Sequence, residues 1–310
     1  MAQKDLSEKL LISFNDVFAD ICNALIFKKT GKINPSDLFP FPTEMLGKQH
    51  DHIRQGYRDV IKLYKRCGID MMLIGLENQT KVDYSMVSRM MLYDAMNYAT
   101  QMDLARQNRK KRKKRKHSKK KTTNLPIISC VLYFGYTRRW TGPRTLHEWL
   151  NLPADLANLV NDYKIHVIEV AWLSDEERQM LTGDFRILAD ALHDLRTIGK
   201  IRSNERTVKH ARELLMALSA ITNTPQFIKT NFNDIASGEI KMCEIMDKYN
   251  KQLRDEGYQL GVDQGISQGI NQGINQVAEK LVKELGHDLD MVARVTGLSM
   301  DELKAMQSRT

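Results

Sequence analysis

Two carboxylates and an amide occupy positions from which a water-activating metal site could be built: Asp59, Glu77 and Gln79. They belong to the stretch YRDVIKLYKRCGIDMMLIGLENQ, residues 57–79, where two apolar runs flank a polar, glycine-containing break. Ile61 and Leu63 alternate with charged and aromatic neighbours, which predicts a half-buried strand. Residues 69–76 are apolar apart from Asp70 and Gly75, the pattern of a strand covered on both faces. A hairpin symmetric about Gly68 pairs position i with 136 − i and sets Asp59 opposite Glu77. Opposed residues keep their Cβ atoms roughly 4.5–5.5 Å apart, and like charges there repel. A divalent cation between them reverses the sign of that interaction. Mg²⁺ suits the pair, because it takes one or two carboxylates and keeps several waters. Gln79, two residues beyond Glu77, shares its face. The alternative is that both acids salt-bridge Arg58 or Lys62 at a sheet edge. An acid at the end of an apolar run nevertheless carries a cost that calls for a function.

The elements that must position these groups can be taken in chain order. Residues 5–27 predict an amphipathic helix, with Asp16 and Asp20 one turn apart on its polar side. Residues 28–55, punctuated by Pro35, Pro40, Pro42 and Gly47, predict a loop with a short helix or strand. The HDH triplet at 50–52 reads as a polar loop or as metal ligands lacking a third partner. Asp83 is a good N-cap for a helix from 84 to about 105. Met86, Val87, Met90, Met91 and Ala95 form its apolar face, whereas Ser85, Arg89, Tyr93 and Asn97 follow along a second one. That second face either aims Arg89 and Tyr93 at the site or holds them in an Arg–Asp94 or Tyr–backbone pairing. Residues 126–134 and 165–173 predict further strands. Between them, Arg138, Arg139 and Trp140 could grip a phosphate backbone and stack a base, or the tryptophan could cover a core edge. Ser174 with Glu177 spells a capping box. Helices over 184–198, 206–222 and 239–256 follow, so strand content is expected to end near 173.

Charge is concentrated rather than spread. The chain of 310 residues carries +9, yet RKKRKKRKHSKKK at 109–121 holds 11 Lys and Arg, leaving 9 − 11 = −2 for the rest. The insert over 106–124 contains no apolar residue, so it is expected to be disordered and to bind nucleic acid by counterion release through residues such as Arg112, Lys113 and Arg115. Cys22, Cys67, Cys130 and Cys243 are far apart, which argues against a zinc site or a disulfide framework. There is no signal-like h-region and no apolar run near the roughly 18 residues of a membrane span. A soluble, cytoplasmic protein without a small-molecule cofactor is expected.

The tail repeats every four residues: Gly257, Gly261, Gly265, Gly269 and Gly273, with Gln264, Gln268, Gln272 and Gln276 in step. Each helical glycine costs roughly 1 kcal/mol against alanine. The segment therefore reads either as a helix stabilised by a second copy, making a homodimer or higher oligomer, or as a flexible linker. Residues 289–306 predict two short helices around Thr296-Gly297-Leu298-Ser299. Their low basic content argues against a DNA-reading helix-turn-helix.

Taken together, FNDVFAD at 14–20, RDV at 58–60, ENQT at 77–80, RMMLYD at 89–94, VLYFG at 131–135 and VNDYKIHVIEVAWLSDE at 160–176 resemble the Rpn family of recombination-promoting nucleases and transposases. That family belongs to the PD-(D/E)XK superfamily, and the likeness covers most of the chain apart from the basic insert. It implies an α/β fold: a restriction-endonuclease-like core over 1–175, with a mixed sheet flanked by helices. An α-helical extension over 176–256 and a Gly-repeat tail over 257–310 would follow. It further implies metal-dependent DNA endonuclease activity, with Asp59, Glu77 and the Asn78 carbonyl holding Mg²⁺. Gln79 would orient the attacking water where many relatives have lysine, and Asp16 would join the site from the first helix. Because glutamine carries no charge, the metal must do most of the work of activating water. The alternatives are a non-enzymatic nucleic-acid-binding protein with a decayed site and a helical interaction scaffold.

Overall fold

The computed structural model describes residues 9–29, 31–49, 52–113, 124–225, 227, 239–283 and 288–308; for 44–49, 52–57 and 107–113 it describes the backbone. The chain divides into two compact units, residues 1–246 and 247–310.

The first unit is built on a five-stranded mixed sheet, and the fold is α/β. A helical stretch over 9–13 leads into α1 (Asn15–Ile21), which continues as a wider π-helical turn to Ile26. Strand β1 (Leu38–Pro40) pairs antiparallel with β4 (Val60–Arg66), and a separate hairpin, β2 (Glu44–Gln49) and β3 (His52–Tyr57), stands between them in sequence. The expected loop over 28–55 thus carries three strands. Strand β5 (Ile69–Gln79) pairs antiparallel with β4. Helix α2 (Met86–Lys113) crosses to β6 (Ile127–Tyr133), which runs parallel to β5. A short helix, α3 (Leu146–Leu150), precedes β7 (His166–Glu169), parallel to β6 at the sheet edge.

The β4–β5 register is i + j = 136 from Val60↔Leu76 to Tyr64↔Met72. Two local features combine to give it. Cys67 and Gly68 both have positive φ, 51° and 75°, the requirement of a two-residue type I′ turn, which by itself pairs positions summing to 135. An unpaired Met71 then inserts one residue and moves the sum to 136. Beyond the bulge, β5 is buried from Leu73 to Asn78, because its neighbours β4 and β6 are flanked by layers on both faces.

Cross-strand partners share a face, which divides the core. On one face Met86, Val87, Met90 and Tyr93 of α2 pack on Val131, Tyr133, Trp140 and Ile165. On the other, the buried Lys62 side chain of β4 donates to the Ser13 carbonyl and the Asn15 amide oxygen, with its ammonium 5.3 Å from the Phe18 ring.

Residues 175–246 belong to this same compact unit. Ser174 and Glu177 close the capping box of α4 (Asp175–Met180), and α5 (Asp184–Ile198) sets Phe185 edge-on to Phe134 of the sheet. Asp20 of α1 accepts from the Thr182 and Gly183 amides just before α5. Strand content does not end near 173. β8 (Thr207–Val208), before α6 (Ala211–Thr222), pairs with β9 (Ile240–Lys241), a contact between segments too distant in sequence for periodicity to reveal. Helix α7 (Met242–Lys283) follows.

In the second unit the helix passes unbroken through all five repeat glycines, so the linker alternative does not describe residues 257–276. Its end packs through Ala278 and Val282 against Val292 and Leu303, of α8 (Leu289–Thr296) and α9 (Met300–Gln307). Ser299 and Glu302 form the capping box that starts α9. Among the described residues no helix is long and apolar enough to cross a membrane, and the four cysteines are free.

Candidate functional site

Asp59 sits in the bend just before β4, and Glu77 lies near the carboxyl end of β5. The register brings them together. The Asp59 amide donates to Glu77 Oε2 at 3.3 Å, and the Asn78 amide donates to Asp59 Oδ2 at 2.8 Å. Each acid therefore anchors on the other strand's backbone, which holds the two carboxyl groups side by side. The carboxyl ends of parallel strands are where open α/β sheets bind ligands, and β5 runs parallel to β6 and β7.

Two cations flank the pair, one from each layer. Lys9, from the first helical stretch, places Nζ 2.7 Å from Asp59 Oδ1. Arg89, one turn into α2, places Nη2 3.0 Å from Glu77 Oε1 and Nη1 2.5 Å from Asp83 Oδ2. Asp83 in turn accepts from the Ser85 amide and hydroxyl just before the helix begins at Met86. Neither Arg58 nor Lys62 partners the acids. Arg58 lies on the α2 side across Gly75, bonding Asp94 and, at 2.7 Å, Ser129 Oγ, while Tyr163 donates to the other Asp94 oxygen at 2.5 Å. The Asp94 partner on offer to Arg89 is thus taken by Arg58.

Glu77 is 3 % exposed. Burial pushes its carboxyl up to about 7, the Asp59 charge adds to the rise, and Arg89, the Asp59 amide and Arg58 oppose it. Between about pH 4.5 and 7 the folded protein holds a proton here that the unfolded chain has released. Metal-free protein should therefore lose stability from this group as pH rises through that window, and Glu77→Gln should remove the dependence. Denaturant midpoints at pH 5 and pH 7.5 in EDTA check this: identical pH dependence in wild type and variant would contradict it.

The other expected site residues are placed as follows. Gln79 is half-buried on the Glu77 face, its carbonyl bonded to the Phe134 amide. Asn78 is buried, with both side-chain amide atoms unpartnered among the described residues. Tyr93 is buried in the α2 core, its hydroxyl 3.5 Å from Arg89 Nη2. Asp16 is not brought to the pair. It bonds His210 Nε2 at 3.0 Å, with the His210 ring stacked 3.7 Å from Phe14. Burial works against ionisation of Asp16, but the His210 bond and charge hold its carboxyl below the ordinary value.

Arg138 is exposed, and Arg139 is tied to Glu169 at 3.2 Å. Trp140 cannot stack a base: its ring is buried edge-on against Tyr133, where it fills core space instead. Helix α2 continues to Lys113 instead of ending near 105, as Gln, Arg and Lys favour a helix that has already nucleated. Arg112 and Lys113 lie in that last turn, whereas residues 114–123, Arg115 among them, lie outside the described residues, as do His50 and Asp51.

Lys9 is the residue that sequence reasoning missed. Its partner lies 50 positions away, and no spacing rule links them.

The donor set fits a small divalent cation: two adjacent carboxylates at a strand end, one of them buried, with an ammonium already standing against Asp59 Oδ1. Among the described residues no group of three or more His, Cys, Asp or Glu could hold a metal, so a cation held by this pair would need water or backbone oxygens as further ligands. No family model matches the chain, and no curated protein or solved structure matches it.

Proposed function

We propose that the protein is a Mg²⁺-dependent DNA endonuclease of the recombination-promoting type, with a PD-(D/E)XK-like core. The observation that supports it most is the Asp59–Glu77 pair, held side by side by reciprocal backbone bonds at the carboxyl end of β5. In the reaction, water adds to the phosphodiester phosphorus as the bond to the leaving sugar oxygen breaks. One water proton ends on that oxygen, and the remaining hydroxyl stays on the phosphate. Asp59 and Glu77 would hold Mg²⁺, which when bound lowers the pKa of water and polarises phosphoryl oxygens. Gln79, on the same face as Glu77, would orient the water through its amide. Arg89 would hand Glu77 over to the metal and keep Asp83. A plasmid-nicking assay with Mg²⁺ and with EDTA tests the reading.

A second reading, a DNA-binding protein with a decayed site, draws support from Lys9 and Arg89, which already neutralise both acids. The same assay separates the two, since that protein binds DNA and leaves it uncut.

The basic insert would supply sequence-independent DNA affinity. Deleting 109–121 should leave cleavage of short oligonucleotides near wild type and weaken binding to long DNA. For every phosphate that the insert neutralises, its deletion should flatten the slope of log K against log[salt] by about 0.9. Equal slopes in the two proteins, read by fluorescence anisotropy, would place the DNA-binding surface elsewhere.

The tail would join two copies. Val262, Ile266, Ile270 and Val277 recur along one face, with Ile266 and Ile270 both more than half exposed beside open glycine positions. Full-length protein should scatter light as a dimer or larger at micromolar concentration, and Ile266→Asp with Ile270→Asp should reduce it to monomer. A monomeric wild type would contradict this.

A further inference from the structure

The proposed chemistry lacks a charged group at position 79, and the structure offers a replacement from a different element. We infer that Lys9 supplies the cation that stabilises the attacked phosphate, an inference that rests on the nuclease reading above.

Three observations carry it. The Lys9 ammonium lies 2.7 Å from Asp59 Oδ1, next to the carboxylate that would hold the metal. The Asp59 side chain is 9 % exposed and that of Lys9 33 %, so the contact is enclosed on the acid's side while the lysine still reaches solvent, from which DNA must approach. Glu77 has its own cation in Arg89, whereas Gln79 brings no charge. Phosphodiester hydrolysis concentrates negative charge on the phosphoryl oxygens, and a preorganised cation in a water-poor site is the usual means of stabilising it. Lys9 would compete with a metal for the Asp59 carboxylate, and once displaced its ammonium would still lie close enough to face a bound phosphate. Lys9 thus has two effects of opposite sign: it opposes metal entry and favours turnover.

This pair of signs separates a catalytic cation from a structural one. In full-length protein, Lys9→Met should bind Mn²⁺ about threefold to tenfold more tightly, measured by calorimetry without DNA. At saturating Mg²⁺ it should nick plasmid about 10²–10³-fold more slowly, as loss of one such stabilising group does elsewhere. Lys9→Arg, which keeps the charge, should restore most of the rate and most of the weaker metal binding. The inference is overturned if Lys9→Met nicks at the wild-type rate at saturating Mg²⁺, or if it binds Mn²⁺ more weakly than wild type. A wild type that leaves plasmid intact in Mg²⁺ would overturn the nuclease reading itself. Should Lys9→Met prove misfolded by circular dichroism, Lys9→Gln takes its place with the same expected signs.

Discussion

Asp59→Ala and Glu77→Ala should each reduce Mg²⁺-dependent cleavage by at least about 10³-fold while leaving the protein folded. The magnitude follows from the role assigned to them. On the proposed site, Asp59 and Glu77 would be the charged ligands, and losing one would remove half of the charge that retains the metal, and with it the activation of water. Retention of the fold follows from the surroundings. Without Glu77, Arg89 keeps its 2.5 Å contact with Asp83 and a half-exposed position, so no buried charge is stranded. Without Asp59, Lys9 reaches solvent. Glu77→Ala also removes a buried acid that burial and Asp59 disfavour, so at pH 7.5 the metal-free variant should be as stable as wild type or more so. Cleavage at the wild-type rate by either variant, with metal content checked, would remove these residues from the site.

The largest effect on stability is expected at Gly75 and Arg58, outside the acid pair. A Cβ added at Gly75 would stand 1.9 Å from Arg58 Nη1. A free arginine tip would swing aside at little cost. Here the guanidinium is buried and pinned by Ser129 and Asp94, and Asp94 also holds Tyr163. Gly75→Ala must therefore break the network and strand Asp94, at a cost of about 3–5 kcal/mol, as for removal of one partner from a buried ion pair. Arg58→Met should cost a similar amount. The double variant should cost little more than either single one, because both break the same contacts. Urea titrations check this. Additive losses would show that Gly75 is needed for something other than the space Arg58 fills.

The hairpin was the most legible part of the fold. Alternation and the apolar run located β4 and β5, and symmetry about Gly68 reproduced the register over Val60–Tyr64, although its physical origin is a two-residue turn corrected by a bulge at Met71. A bulge leaves no mark in hydrophobic patterning, so the correct register was reached through cancellation. The capping box at Ser174 could be read directly, since it is a local hydrogen-bond pattern. Contacts between distant segments could not. Asp16 looks available on its helix, yet His210, 194 residues away, takes its carboxylate. Lys9 gives no signal because a single lysine on a polar helix face resembles any other. Trp140 shows the limit for loops: an aromatic beside two arginines has the composition of a binding site, yet its ring fills the core.

The most direct test of the account is relaxation of supercoiled plasmid by purified full-length protein, in millimolar Mg²⁺ and in EDTA, with Glu77→Gln alongside. Wild type should give nicked or linear product in Mg²⁺, and plasmid should stay intact both in EDTA and with the variant. Intact plasmid from wild type in Mg²⁺, with DNA binding retained, would contradict the nuclease assignment. Cleavage by Glu77→Gln at the wild-type rate would contradict the assigned site.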